Sequence, residues 1–143
     1  GAPFYTTYRT SDSRHISVGA IEDKFYLEFI TKLDLKLDEL PNRTDKSNWP
    51  KLKDIFQEII ETKTMREWGE IYFGTDACVA PVLNFEEAFA DPHNKYRGIF
   101  PKAFNIIQPK PAPDLSVTPA PKITDKHKIK LTEAEVFGQW GID

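Results

Sequence analysis

A single cysteine, Cys78, stands in the 143 residues of this chain. No disulfide can therefore close within it, and such cysteine usage favours a reducing compartment. No apolar run approaches the roughly 20 residues needed to cross a bilayer. Neither sign of charge dominates. Nineteen Lys and Arg against 22 Asp and Glu leave a net charge of −3, which gives no electrostatic case for nucleic acid or an anionic membrane. There is no P-loop and no GxGxxG. The three histidines, His15, His93 and His127, lie far apart without metal-ligand spacing and make no zinc site. What is present is ordinary globular material. Forty per cent of the residues are hydrophobic and 13% aromatic, enough for one domain with a modest core.

The pattern along the chain predicts an α+β fold. Residues 4–9 and 15–19 are β-rich runs separated by Thr10-Ser-Asp-Ser-Arg14, and read as a hairpin. Residues 22–33 carry Phe25, Phe29, Ile30 and Leu33 on a helical stripe. A polar connection over 34–46 leads to Ser47-Asn-Trp-Pro50, a helix entry with proline in the first turn. That helix runs to about residue 61, with Leu52, Ile55, Phe56, Ile59 and Ile60 on one face. Thr64-Met-Arg-Glu67, Asn84-Phe-Glu-Glu87 and Thr132-Glu-Ala-Glu135 are capping boxes that open three further helices. The second of these stops near Asp91-Pro92. Residues 77–82 read as a short buried strand, and 99–107 as one or two more. Pro101, Pro109, Pro111, Pro113, Pro119 and Pro121 are six of the eleven prolines, and such a run favours a semi-rigid extended strap. The expected organisation is a small domain over 1–110 with a hairpin, short strands and about four helices. A Pro/Lys-rich strap over 111–131 and a terminal helix over 132–143 follow. The chain opens on Gly1 with no signal-peptide pattern and ends without a Ser-Lys-Leu-like tail, and the expectation is a piece of a longer protein.

The most informative stretch is Val18-Gly-Ala-Ile-Glu-Asp-Lys-Phe-Tyr26. An apolar strand reaches a Gly-Ala turn and delivers the carboxylate of Glu22 at the start of a helix. The positive end of the helix dipole keeps such a carboxylate ionised and directed. Read with Gly1-Ala-Pro-Phe-Tyr-Thr-Thr-Tyr-Arg-Thr10, Gly74-Thr-Asp-Ala-Cys-Val-Ala-Pro-Val82 and Phe85-Glu-Glu-Ala88, it resembles the α-methylacyl-CoA racemases of the family III CoA-transferase superfamily. The resemblance covers nearly the whole chain but only the C-terminal two-fifths or so of such an enzyme.

That resemblance implies an isomerase. It would interconvert (R)- and (S)-2-methylacyl-CoA by removing and returning the hydrogen α to the thioester carbonyl, in fatty-acid and bile-acid metabolism. Acyl-CoA is then the substrate, and no separate cofactor or metal is expected. The family's proton-transfer residues, a His and an Asp, belong to a large domain that this chain lacks, so the chain alone should be inactive. Glu22 matches the family glutamate that hydrogen-bonds the catalytic His of the other subunit's large domain. Tyr5 matches a tyrosine lining that site, and Ile21 a residue of the acyl-pocket wall. Without the family, Tyr5 reads as a strand aromatic, Ile21 as core and Glu22 as an ordinary first-turn acid. The family's partners are its own large domain, on which the last helix docks, and an interlocked second copy. Its location is intracellular: peroxisome and/or mitochondrion in a eukaryote, cytoplasm in a bacterium. Cys78, in an apolar run without an adjacent base, reads as packing rather than as a nucleophile. Asp76 reads as a turn or cap residue. Lys122, Lys126, Lys128 and Lys130 read as a solvated strap, with contact to a CoA phosphate as the sharper possibility. Two other functions stay open. One is a family III CoA-transferase, whose segment after the hairpin often holds an Asn-Asp pair or a glycine-rich loop where this chain has Ala20-Ile21-Glu22. The other is a non-enzymatic small-domain module.

Overall fold

The computed structural model describes residues 1–103, 105–121 and 132–141. The chain forms two compact units, Gly1–Leu83 and Asn84–Asp143. The architecture is the α+β mix expected.

In the first unit β1 (Tyr5–Arg9) and β2 (His15–Gly19) make the antiparallel hairpin, and β3 (Val79–Pro81) pairs antiparallel with β2 to give the order β1-β2-β3. Side chains alternate across a strand. Tyr8, Ile16 and Val18 therefore face the core, whereas Tyr5, Thr7, Arg9 and their cross-strand partners Gly19, Ser17 and His15 share the outer face. Three helices cover the inner face: α1 (Asp23–Lys32), α2 (Trp49–Ile60) and α3 (Met65–Tyr72). Short 3-10 turns at Leu37–Glu39 and Lys46–Asn48 interrupt the connection between α1 and α2.

The core is aromatic. Phe29 of α1 and Phe56 of α2 meet edge-to-face at 5.1 Å between ring centroids, and Tyr26, Tyr8 and Tyr72 surround them. On α1 the buried stripe is Tyr26, Phe29, Ile30 and Leu33, with Phe25 only partly buried. On α2 it is Leu52, Phe56 and Ile60, with Ile55 and Ile59 at the margin. Burial pushes the Tyr8 and Tyr72 phenols far up, so both act as neutral donors, Tyr8 to the Pro3 carbonyl and Tyr72 to that of Phe29. Trp68 is buried, and its indole N–H donates to the Ile60 carbonyl at 2.7 Å.

Polar side chains fasten the elements. The amide of Gln57 accepts from the Arg9 N–H at 3.1 Å and donates to the Arg9 carbonyl at 2.8 Å, acting as a strand neighbour for the edge of β1. Thr64 and Glu67 form the expected capping box of α3. Asp12 in the hairpin turn accepts from the Thr10 hydroxyl and from the N–H of Met65, the first residue of α3. Gly69 lets α3 approach β3, since a Cβ there would stand 3.0 Å from Pro81 Cγ.

The second unit contains α4 (Phe85–Ala90), α5 (Pro92–Tyr96), the two-residue strands β4 (Lys102–Ala103) and β5 (Ile106–Ile107), and α6 (Glu133–Trp140). The Asn84 and Thr132 capping boxes are both formed. Pro92 does end α4, as expected, but it also opens α5. Asp91 caps that helix by accepting from the Asn94 N–H at 2.9 Å, and proline in a first turn has no N–H to lose. Phe89 packs on Phe85 and Phe100. Val136, Phe137 and Trp140 of α6 are exposed.

Removing a ring from the centre of this core leaves a cavity as well as lost burial, at about 3–5 kcal/mol. Phe56→Ala should therefore lower the urea midpoint of the chain far more than Ile59→Ala, without altering the slope. Acid should act through the hairpin turn. The Thr10 hydrogen bond, aided by the Met65 N–H, holds the Asp12 carboxyl below its ordinary range, and slight desolvation opposes this. A depressed carboxyl stabilises the fold above its unfolded value, and that contribution is lost as pH falls through the folded value, below about pH 4. Asp12→Asn should unfold more readily near neutrality and respond less than the unsubstituted chain to further acidification, as read from denaturant midpoints across that range.

Candidate functional site

The site is the corner where β2 turns into α1. Gly19 ends the β2 ladder, and its N–H donates to the Cys78 carbonyl at 2.8 Å. The Ile21 N–H then donates back to the Gly19 carbonyl at 2.9 Å, a three-residue turn centred on Ala20. Ala20 is fully buried, so the turn is anchored in the core while Ile21 and Glu22 emerge from it. Glu22 is the N-cap residue of α1, with extended backbone dihedrals. Its side chain does not cap its own helix. Among the described residues its carboxylate makes no hydrogen bond and no ion pair.

The neighbours of Glu22 are all engaged. Asp23 pairs with Arg43, which also donates to the Ile21 carbonyl at 2.9 Å. Lys24 pairs with Asp76 at 3.7 Å and lies over the Phe25 ring. Glu28, one turn further along, accepts from the Asp76 N–H at 3.0 Å. Glu22 is thus an exposed carboxylate at the positive end of a helix with its hydrogen-bonding capacity turned outward.

Tyr5 opposes Gly19 in the hairpin register, and its ring lies over the bare glycine backbone. The ring is 61% exposed, on the outer face of the sheet rather than packed into the core. Tyr5, Thr7, Ser17, Gly19 and Cys78 line a shallow open groove along that face. No hydrogen bond joins Tyr5 to Glu22 among the described residues. Ile21 is half exposed and outside the core cluster.

The structure corrects the reading of Cys78 as packing in a buried strand. The strand is only Val79–Pro81, and Ala77 rather than Cys78 is buried. Cys78 adopts a left-handed backbone with φ 52°, uncommon for a residue other than glycine, and its thiol is exposed. Partial desolvation first, then the negative charges of Asp76, Glu22 and Glu28, push the thiol upward against a smaller pull from Lys24. This is the opposite of a nucleophile's environment. His15 sits exposed at the start of β2 and His93 exposed in α5, while His127 and the strap lysines Lys122, Lys126, Lys128 and Lys130 lie outside the described residues. Among the described residues no group of three or more His, Cys, Asp or Glu could hold a metal ion, and no helix is long and apolar enough to cross a membrane. Arg43 carries no sequence signal that marks it as part of this corner. It lies 21 positions from Glu22 and no local motif marks it.

The model of CoA-transferase family III matches residues 1–125. The chain belongs to that family. It is 51% identical over 121 residues to the alpha-methylacyl-CoA racemase of Homo sapiens, a match covering 84% of this chain and 32% of the relative. It is 47% identical over 143 residues to the alpha-methylacyl-CoA racemase of Mus musculus, covering 99% of this chain and 38% of the relative. A CaiB/baiF CoA-transferase family protein of Caenorhabditis elegans is 31% identical over 111 residues, covering 78% of this chain and 31% of the relative. The chain therefore spans about a third of the length of these curated relatives.

Because Cys78 is the only cysteine, its chemistry reports on this corner. Alkylation near neutral pH should be slower than for an unperturbed exposed thiol, with a titration midpoint above the ordinary cysteine range. Glu22→Gln removes one of the charges that raise the thiol, so it should speed alkylation at fixed pH. Mass spectrometry across a pH series measures both.

Proposed function

We propose that this chain is the C-terminal part of a 2-methylacyl-CoA racemase, in which Glu22 supports a proton-transferring histidine of another subunit. The observation that carries this reading is the carboxylate itself. Glu22 is held at the corner between β2 and α1, exposed, and its carboxylate has no hydrogen-bond or ion-pair partner among the described residues. The names and identity levels of the human and mouse relatives support the choice of reaction.

The chemistry requires one acid/base group on each face of the α-carbon. One group removes the proton, the thioester carbonyl takes up the electron pair as an enolate, and the other group returns a proton to the opposite face. Those two groups, a His and an Asp in the resemblance, lie in a large domain outside this chain. A carboxylate facing the imidazole fixes its tautomer, orients the ring and stabilises the imidazolium that forms when the proton arrives. Tyr5, on the adjoining outer face, can donate its phenol to the same network, and half-exposed Ile21 offers apolar surface to the acyl chain. The exposed Val136, Phe137 and Trp140 of α6 dock on the large domain, and two copies interlock so that Glu22 of one meets the histidine of the other. Acyl-CoA is the substrate and no further cofactor takes part. The setting is intracellular, in branched-chain fatty-acid and bile-acid metabolism, in a peroxisome or mitochondrion of a eukaryote or the cytoplasm of a bacterium.

The name of the nematode relative keeps a CoA-transferase as the second reading. In that case the full-length protein moves CoA between acids without inverting the α-carbon. Incubating it with (R)-2-methylacyl-CoA and a free carboxylic acid as CoA acceptor in deuterated water separates the two. Deuterium at the α-carbon together with appearance of the (S) form supports the racemase, while CoA transfer without exchange supports the transferase. The 143-residue chain alone should catalyse no exchange. In the full-length enzyme Glu22→Gln keeps the shape and loses the charge. It should lower kcat by about 10²-fold, within the range of general acid–base contributions, and leave KM within about twofold. Unchanged kcat would reduce Glu22 to a helix-start acid.

A further inference from the structure

The side chain that bonds the residues on either side of Glu22 comes from elsewhere in the fold. Arg43 lies in the connection between α1 and α2, and its guanidinium is mostly buried, with 15% of the side chain exposed. Nη1 donates to the Ile21 carbonyl at 2.9 Å, and Nη2 donates to the Asp23 carboxylate. These are the residues immediately before and after Glu22. The guanidinium carbon lies 4.4 Å from the Tyr26 ring centroid and 4.8 Å from that of Phe4, so the fork is stacked as well as hydrogen-bonded. Arg43 is itself anchored. The Trp49 indole N–H donates to its carbonyl at 2.9 Å, and the Asn48 amide donates to the Asn42 carbonyl at 3.0 Å.

We propose that Arg43 is the positioning residue for Glu22, gripping the backbone on one side and pairing the adjacent, solvent-exposed Asp23 carboxylate on the other, so that the Glu22 carboxylate stays uncommitted. The inference rests on the function assigned above to Glu22. Two features make the grip necessary. Glu22 makes no cap hydrogen bond that would hold the start of α1 from within. Asp23 is a second carboxylate beside it, and without a cation of its own it would compete for the same imidazole. Arg43 occupies Asp23 and tethers the Ile21 carbonyl in one planar fork. Lysine has three donors but neither the planar fork nor the stacking plane, so it would hold the two acceptors less firmly.

The test uses the full-length enzyme with Arg43→Gln, Arg43→Lys, Asp23→Asn, Glu22→Gln and the Arg43→Gln/Glu22→Gln double variant. Misplacement of a supporting group by a fraction of its contact distance costs about 10- to 100-fold in turnover. Arg43→Gln should lower kcat within that range with KM nearly unchanged, and Arg43→Lys should fall between it and the parent. The decisive readout is the cycle. If Arg43 acts through Glu22, its loss costs little once Glu22 is already Gln, whereas a purely structural arginine multiplies its effect with that of Glu22→Gln. Full multiplication overturns the proposal, as does wild-type kcat in Arg43→Gln when Glu22→Gln is impaired. Wild-type kcat in Glu22→Gln overturns the reading of Glu22 itself, and the positioning role with it. If Arg43→Gln does not fold, Asp23→Asn carries the test. It leaves the arginine and its Ile21 bond in place, and should show a smaller loss that also disappears in the Glu22→Gln background. A loss there that persists, or no loss at all, counts against the proposal.

Discussion

The edge-to-face contact of Phe29 with Phe56 is the joint on which the first unit turns. It brings α1 against α2 with ring centroids 5.1 Å apart, and the remaining elements take their positions from that pair. One residue after Phe56, Gln57 reaches the edge of β1 and completes its hydrogen bonding at Arg9. At the far end of α2, Ile60 offers its carbonyl to Trp68, which fixes α3. At the near end, Trp49 and Asn48 fix the loop that carries Arg43. A buried aromatic pair is worth about 0.5–1.5 kcal/mol beyond its burial. Its larger consequence is geometric. Once α1 and α2 are set, the corner at residues 19–23 has one place to go.

That corner was legible where the signal was local. The strand, the Gly-Ala turn and the carboxylate at a helix start follow from neighbouring residues, and so do the three capping boxes, each contained within four positions. What sequence misses is set by distance or by small rotations. Phe25 and Tyr26 are adjacent aromatics, and a periodicity count that accepts one cannot say that the helix turns the other inward. Cys78 lies in an apolar run, but its left-handed backbone turns the thiol outward while the carbonyl still serves the sheet. Pro92 reads as a helix stop, and the same residue starts the next helix once Asp91 caps it. Arg43 carries no pattern at all. Its partners lie 20 and 22 positions away, and only the path of the connection brings them together.

The treatment of carboxylates across the chain is the sharper clue to function. Glu67, Glu87 and Glu135 each turn back to cap the helix they sit on, and Asp91 caps the helix that follows it. Asp12 ties the hairpin turn to α3, and Asp23 is held by Arg43. All of these but Asp23, whose partner is a guanidinium, satisfy a donor at a helix end or turn. Glu22 stands at the same kind of position, an N-cap with extended backbone, and does none of this. A folding requirement alone would be met better by serine, threonine, asparagine or aspartate there, which reach the exposed N–H groups of the first turn. The glutamate there forgoes that local hydrogen bond and stays exposed. Capping is worth about 1 kcal/mol, and a position that forgoes it, with the preceding carbonyl held by a stacked arginine, supports the proposal that Glu22 serves a partner outside the chain.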